Sequence, residues 1–390
     1  MSSFEKALSR QLEQIKQDSL YRQRKTLETP QQPAIKIDGK QYLAFCSNDY
    51  LGLANHPELI EAMASGSENW GVGSGGSHLV VGHQQAHHDL EQALADFVGY
   101  PRALLFSSGY MANIGTIRSL VGLPDETFHD QLNHASLLDG GWLSRAKLQR
   151  FAHNDYDDLQ NRLVASRVSS ADSKRLIVSD SVFSMDGEIA DIPKLSAIAK
   201  QQDGWLMIDD AHGLGVLGES GSGVLSHWGL TSDSAEVYVG TLGKAFGCFG
   251  AFVAGSDLLI ETLIQKARSY IFTTALPPAL AVANLKALEL VRKDQWRRDK
   301  LAELIEEFKA GAEELGLPLM PSNTAVQPLL YGSTEKTLQV SAALAEQGIL
   351  ISAIRPPTVP VGTSRLRVTL SASHTSEDVR KLIKVLAKIS

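Results

Sequence analysis

The chain has 390 residues, 43% apolar and 21% charged, an ordinary globular balance that excludes a disordered or collagen-like chain and, at about 150 residues per domain, suggests two or three compact units. With 37 basic against 44 acidic residues the net charge is −7, which argues against a nucleic-acid binder, because phosphate neutralisation needs a basic surface. Only Cys46 and Cys248 occur, giving neither a disulfide framework nor a CxxC knuckle; no apolar stretch approaches the roughly 20 residues of a membrane span and the N-terminus lacks a signal-peptide core, so a cytoplasmic protein is expected.

Residues 1–29 read as an amphipathic helical arm with Phe4, Leu8, Leu12 and Ile15 at helical spacing, ended before Pro30 and Pro33. PELIEAMASGSENW (57–70) is helix-like. From about 103 to 255, β-type runs (ALLF, KRLIVSD, WLMIDD, AEVYVG, GAFVAG) alternate with helical segments such as DLQNRLVA and KLSAIAKQQ, which predicts a mostly parallel sheet covered by helices. After Pro277 and Pro278 the pattern turns to long helices, with Leu301, Leu304, Ile305, Phe308, Ala312 and Leu315 on one stripe and Gly316 as C-cap. The end reads strand (TAVQPLLYG), helix (EKTLQVSAALAEQG), strand (ILISAI), strand (SRLRVTLS), helix (EDVRKLIKVLAKI). The expected organisation is an N-terminal helical arm with short strands (1–47), a large α/β domain (48–278) and a small C-terminal α/β domain (279–390).

GVGSGG (71–76) has the GxGxxG spacing but follows a helix, the wrong context for a dinucleotide loop. GTLGKAFG (240–247) fails the P-loop pattern and leaves Lys244 at a strand end, framed by Gly240, Gly243, Gly247 and Gly250, as if backbone crowded something held by the amine. His78, His83, His87 and His88 lack the HExxH glutamate and read as helix-surface or interface histidines, so no metal is expected.

DDAH (209–212) ends an unbroken apolar strand, Leu206 to Ile208. A carboxylate at the end of a buried strand is costly unless it meets a cation or hydrogen-bond donors, and strand alternation lets only one of Asp209 and Asp210 face a given site. A buried strand-end aspartate together with Lys244 is the pair that pyridoxal phosphate requires, carboxylate on the ring nitrogen and amine in the Schiff base. SSGYMAN (107–113) follows a strand and opens a helix, whose N-terminus suits a phosphate, and NHAS (133–136) offers His134 to stack on the ring.

NDYLGL (48–53), GSGGS (73–77), SSGY (107–110), NHAS (133–136), FSMDG (183–187), DDAHG (209–213), TLGKAFG (241–247) and IRPPTVPVGTSRLR (354–367) fall in one order over nearly the whole chain. In this the chain resembles the α-oxoamine synthases, pyridoxal-phosphate acyltransferases of the aspartate-aminotransferase fold type I. The resemblance implies Lys244 as Schiff-base lysine and general base, Asp209 as pyridinium partner and His134 as stacking and polarising residue. It implies Ser184 and His212 near the phenolic oxygen, and Gly109, Tyr110 and Thr241 on the phosphate, with Thr274 from a partner chain. Arg355 would grip the amino-acid carboxylate in a fork that lysine cannot copy. Asn48, Thr358 and an N-terminal arginine, Arg22 or alternatively Arg24, would touch substrate. The RPPTVP segment resembles family members that join L-alanine to a pimeloyl thioester of coenzyme A or acyl carrier protein, against sister synthases using glycine or serine. A homodimer with the site at the interface is implied.

Overall fold

The computed structural model describes residues 1–166 and 173–389. The chain divides into two units, residues 48–184 with 188–298, and residues 1–47 with 185–187 and 299–390. The strands in chain order are β1 (Ala34–Ile37), β2 (Lys40–Ala44), β3 (Arg102–Phe106), β4 (Glu126–Asp130), β5 (Lys147–Phe151), β6 (Arg175–Asp180), β7 (Trp205–Asp209), β8 (Val237–Thr241), β9 (Ala251–Gly255), β10 (Val326–Gly332), β11 (Ile349–Leu350), β12 (Ser352–Ile354) and β13 (Ser364–Thr369).

The larger unit is built on a seven-stranded sheet in the order β3-β9-β8-β7-β6-β4-β5. Only β9 runs antiparallel to its neighbours, β3 and β8. Leu206, Met207 and Ile208 of β7 are fully buried, as a strand covered on both faces requires, and each such side chain contributes about 1.5–3 kcal/mol of burial free energy. Leu104, Val178, Met207, Val239 and Val253 from five strands share one core with Ala112 and Ile117 of the helix Gly109–Leu120. This is the pyridoxal-phosphate fold type I arrangement that the motif order implied. β4 and β5 were not foreseen: β4 is the polar run Glu126-Thr127-Phe128-His129-Asp130, yet all five residues are buried.

The smaller unit holds two three-stranded sheets, β1-β2-β11 and β10-β13-β12. The run ILISAI, read as one strand, is cut at Ile351, and its halves pair in different sheets. The helix Gln295–Glu314 buries Leu301, Leu304, Ile305, Phe308 and Ala312, whereas Leu315 lies beyond its end and is exposed; Gly316, at φ +61°, makes the left-handed turn there. The arm departs from its expected length. Its helix spans Ser3–Gln17, closed at the start by a Ser2–Glu5 capping box and ended before Ser19 at φ +57°, and residues 18–26 are not helical. Among the described residues no helix is long and apolar enough to cross a membrane.

Candidate active site

At one edge of the seven-stranded sheet, β3, β4, β6, β7 and β8 end in loops that carry Gly109 and Tyr110, His134, Ser184, Asp209 and His212, and Thr241 and Lys244. The carboxyl ends of parallel strands are where open α/β sheets bind ligands.

Asp209 closes β7 and is buried. Its Oδ2 accepts a hydrogen bond from Asn113 Nδ2 at 2.6 Å, and its Oδ1 accepts one from the Ala211 amide at 3.0 Å. Asn113 also donates to Ser136 Oγ at 2.9 Å, and that hydroxyl lies 2.7 Å from His134 Nδ1. One hydrogen-bonded chain therefore joins Asp209 to His134. Desolvation lowers the His134 pKa and the charge of Lys244 adds to it, against the opposing pull of Asp209 and Asp139, so the neutral imidazole is favoured. Asp210 is committed elsewhere: it accepts from Ser181 Oγ, from Tyr238 Oη at 2.5 Å and from the Val224 amide at 2.8 Å. Burial pushes its pKa up to about 6, and three donors make it a structural carboxylate.

Lys244 lies in the turn after β8. Thr241 Oγ1 donates to the Gly250 carbonyl at 3.2 Å and accepts from the Gly243 amide at 3.3 Å, while the Gly247 amide donates to the Lys244 carbonyl at 2.8 Å. The glycines of this turn serve packing more than the amine. A Cβ on Gly247, whose φ is +65°, would stand 2.4 Å from the Ala54 amide nitrogen, and one on Gly240 would strike the Phe252 ring, whereas Gly243 meets only ordinary contacts.

Ser108 caps the helix Gly109–Leu120 by accepting from the Met111 amide at 3.3 Å, which leaves the amides of Gly109 and Tyr110 as first-turn donors. A Cβ at Gly109 would have open space. The Tyr110 hydroxyl donates to Asp139 Oδ2, and its ring stands edge-on to His134 at 6.3 Å. His212 Nδ1 is 2.5 Å from Tyr50 Oη, which reaches Asn48 Oδ1 at 3.4 Å, so the NDYLGL and DDAHG motifs meet. Ser184 is half-buried after Phe183, and Thr274 is exposed. Among the described residues no hydrogen bond joins Thr274 to the others.

In the smaller unit, Arg22 and Arg24 are exposed on the non-helical part of the arm. Arg355 Nη2 donates to the Tyr21 carbonyl at 2.9 Å, and the Arg355 carbonyl accepts from the Thr358 amide at 3.1 Å. Arg355 Nε is buried with no hydrogen-bond partner among the described residues.

Within the histidine-rich stretch, His87 uses both ring nitrogens on backbone: Nδ1 accepts from the Gln84 amide at 3.0 Å and Nε2 donates to the Leu276 carbonyl at 2.6 Å. No group of three or more metal-ligating side chains occurs among the described residues.

The aminotransferase class I and II family model matches residues 40–386. The chain belongs to the aminotransferase class I and II family. Among its family relatives, the 8-amino-7-oxononanoate synthase of Pseudomonas putida is 56% identical over 98% of this chain and 96% of that protein. The synthase of the same name from Cellvibrio japonicus is 56% identical over 100% of this chain and 96% of that protein. In three dimensions the chain is similar to serine palmitoyltransferase from S. paucimobilis, solved with bound PLP and myriocin, at TM-score 0.93 and 28% identity over 100% of this chain and 98% of that one. It is similar also to the 8-amino-7-oxononanoate synthase of Francisella tularensis, at TM-score 0.77 and 31% identity over 89% of this chain and 97% of that one.

Asn113, Ser136, Asp180 and Tyr50 of this family member were not singled out from the sequence. Asn113 carried a signal that was not used: a polar residue on the apolar side of a helix must find a partner, and SSGYMAN ends on it. Asp180 had none, since it reads as the polar end of one strand among several.

Proposed function

We propose that the chain is a pyridoxal 5'-phosphate-dependent C-acyltransferase that condenses L-alanine with a pimeloyl thioester, forming 8-amino-7-oxononanoate, carbon dioxide and the free thiol in biotin biosynthesis. The observation that carries this is the placing of Asp209, His134 and Lys244 at the carboxyl ends of strands of one sheet in a chain 56% identical to an 8-amino-7-oxononanoate synthase.

The residues suit the cofactor on their own chemistry. Asp209 is a buried carboxylate whose two hydrogen-bond donors, Asn113 and Ala211, are neutral, so its charge is left to match a protonated ring nitrogen. The first turn at Gly109 and Tyr110 offers amides and a positive dipole end to a phosphate, with the Thr241 hydroxyl at the end of β8 able to turn from the Gly250 carbonyl toward it. His134 offers a flat neutral ring, and His212 and Ser184 offer polar atoms for the phenolic oxygen. When bound, the cofactor supplies a ring that accepts the electron pair left at the alanine α-carbon.

The chain's own groups do the rest. Asp209, fixed by Asn113, keeps the ring nitrogen protonated. Lys244 would hold the cofactor at rest and, as a free amine, would take the α-proton as general base. The α-carbon then bonds to the acyl carbon while the C–S bond breaks, and the sulfur leaves with the bonding pair as thiolate and takes a proton from solvent. The alanine carboxylate departs as carbon dioxide, its electron pair remaining on the α-carbon, and Lys244 returns a proton there. His134 polarises the new keto group. Arg355, with its unpartnered Nε, holds the alanine carboxylate, and Arg22 or Arg24, Asn48 and Thr358 hold the acyl thioester.

The chain acts as a homodimer in this reading, with Thr274 reaching the partner's phosphate. Support comes from the glycine-rich turn and the apolar run after it, where Val72 is 82% and Val80 76% exposed, a surface a monomer rarely leaves open. The cytoplasm is the proposed location, consistent with the free thiols of Cys46 and Cys248.

The test is thiol release from pimeloyl-coenzyme A in the presence of L-alanine, glycine or L-serine. Release that depends on L-alanine and yields the amino-ketone is expected. Preference for glycine with a short acyl group would move the chain to a sister activity such as glycine C-acetyltransferase.

A further inference from the structure

We propose that His153 is a positioning residue of this active site, tying the turn that carries His134 to the hairpin that carries Ser184 through a carboxylate on each ring nitrogen; the inference rests on the reading of the chain as a pyridoxal-phosphate synthase. His153 Nδ1 lies 2.9 Å from Asp130 Oδ1, and Nε2 lies 2.7 Å from Glu188 Oε2. Asp130 ends β4, and its Oδ1 also accepts from the Leu132 amide at 2.7 Å while its carbonyl accepts from Asn133 at 3.2 Å. Asp130 thus shapes the two residues that lead into His134, Leu132 through its carboxylate and Asn133 through its main-chain carbonyl. Its Oδ2 takes the Asn154 amide at 2.9 Å, which binds the turn after β5 to the same point.

At the other nitrogen, Glu188 belongs to the hairpin in which Val182 pairs with Ile189 and the Phe183 amide donates to the Glu188 carbonyl at 2.9 Å. The Phe183 ring meets His153 edge-on at 4.4 Å, and Ser184 is the next residue. His134 and Ser184 are therefore two ends of one mechanical link with His153 in its middle.

A neutral imidazole can donate from only one nitrogen, so only the imidazolium donates to both carboxylates at once. Burial opposes that charge, but hydrogen bonds and charge from Asp130 and Glu188 outweigh it and hold the His153 pKa above its ordinary value. Two uncharged side chains also stand beside the ring. Asn154 Nδ2 lies 3.4 Å from Nε2, and Tyr156, whose hydroxyl donates to Asn154 Oδ1 at 3.0 Å, has its pKa pushed up to about 12. The link holds while His153 is protonated and loses one of its two bonds as pH rises through the His153 pKa.

The experiment compares the wild-type holoenzyme with His153→Phe, which keeps the edge-on contact, and Glu188→Gln, which keeps an acceptor and removes the charge. Readouts are kcat, KM for L-alanine, pyridoxal-phosphate Kd and unfolding temperature between about pH 6 and 9. His153→Phe is expected to lower kcat roughly tenfold or more through misplacement and to weaken cofactor binding, with KM for L-alanine little changed. Glu188→Gln is expected to move the alkaline limb of kcat to lower pH. Variants with wild-type kcat, cofactor affinity and pH profile, altered only in unfolding temperature, overturn the proposal. If His153→Phe does not fold, the Glu188→Gln limb decides: displaced it supports the link, unmoved it overturns it. A wild-type protein that binds no pyridoxal phosphate contradicts the function itself, a result distinct from either.

Discussion

Asp180 and Asp209 stand opposite each other in the register of β6 and β7, so two buried carboxylates sit side by side at the sheet edge. Asp180 Oδ2 accepts from the His134 amide at 2.6 Å, and its backbone amide donates to Asn133 Oδ1 at 3.1 Å. Burial and the charge of Asp209 hold the Asp180 pKa well above the carboxylate range. A carboxyl whose folded pKa is raised contributes stability that is present below its unfolded pKa and is lost as pH rises through the folded one. Asp180→Asn keeps an acceptor for His134 and removes the titration. The unfolding temperature of the variant is expected to fall less on raising the pH than that of the wild type, where the slope from this group is at most about 1.4 kcal/mol per pH unit. Parallel profiles would contradict the assignment.

The two aspartates of the DDAH loop should separate chemistry from stability. Asp209→Asn preserves shape and removes the charge proposed to keep the cofactor ring protonated, so kcat is expected to drop about 100-fold or more with cofactor still bound by absorbance. Asp210→Asn leaves three donors facing an amide and should cost about 1–3 kcal/mol of stability with kcat per folded molecule retained. The reverse pattern would transfer the cofactor role to Asp210.

His129 lies in the middle of β4, fully buried, with neither ring nitrogen hydrogen-bonded among the described residues, and burial lowers its pKa to about 3. A histidine with a depressed folded pKa contributes stability present above its unfolded value near 6.5 and lost as pH falls from there toward 3. His129→Met, similar in volume and unable to titrate, should therefore lose less unfolding temperature between neutral and about pH 5 than the wild type. An equal loss in both proteins would show that other groups set the acid limb.

Gly247→Ala is expected to damage the lysine turn. The residue has φ +65°, and its Cβ would press on the Leu53 and Ala54 backbone, which cannot give way as a flexible side chain could. Unfolding temperature and cofactor affinity should both fall, by about 1–3 kcal/mol in stability; a variant indistinguishable from the wild type would mean that the turn is free to move.

What could be read from the sequence follows what each element needed in order to form. β6 to β9 carry unbroken apolar runs, so burial on both faces was visible in composition, and Asp209 and Lys244 stood out as polar residues ending such runs. β4 was hidden because its two carboxylates are paired by distant residues: Lys147 Nζ reaches Glu126 Oε1 at 2.8 Å, and His153 and Asn154 reach Asp130. Pairing across a sheet leaves no local trace. Ile349–Ile354 looked like one strand because every residue suits a strand, and only the partners, β2 on one side and β13 on the other, divide it. The arm helix kept its stripe on paper to residue 15 and stops two residues later, where Ser19 takes a left-handed conformation. The partner that holds Asp209, Asn113, lies 96 positions away, and no local pattern pairs the two.

Lys244 is the proposed point of attachment of the cofactor. Borohydride reduction of the purified holoenzyme, followed by digestion and peptide mass mapping, tests it directly. A pyridoxyl-phosphate adduct is expected on the peptide containing Lys244, and none in Lys244→Ala, whose turnover should be abolished. An adduct on another lysine, or near-wild-type turnover by Lys244→Ala, would contradict it.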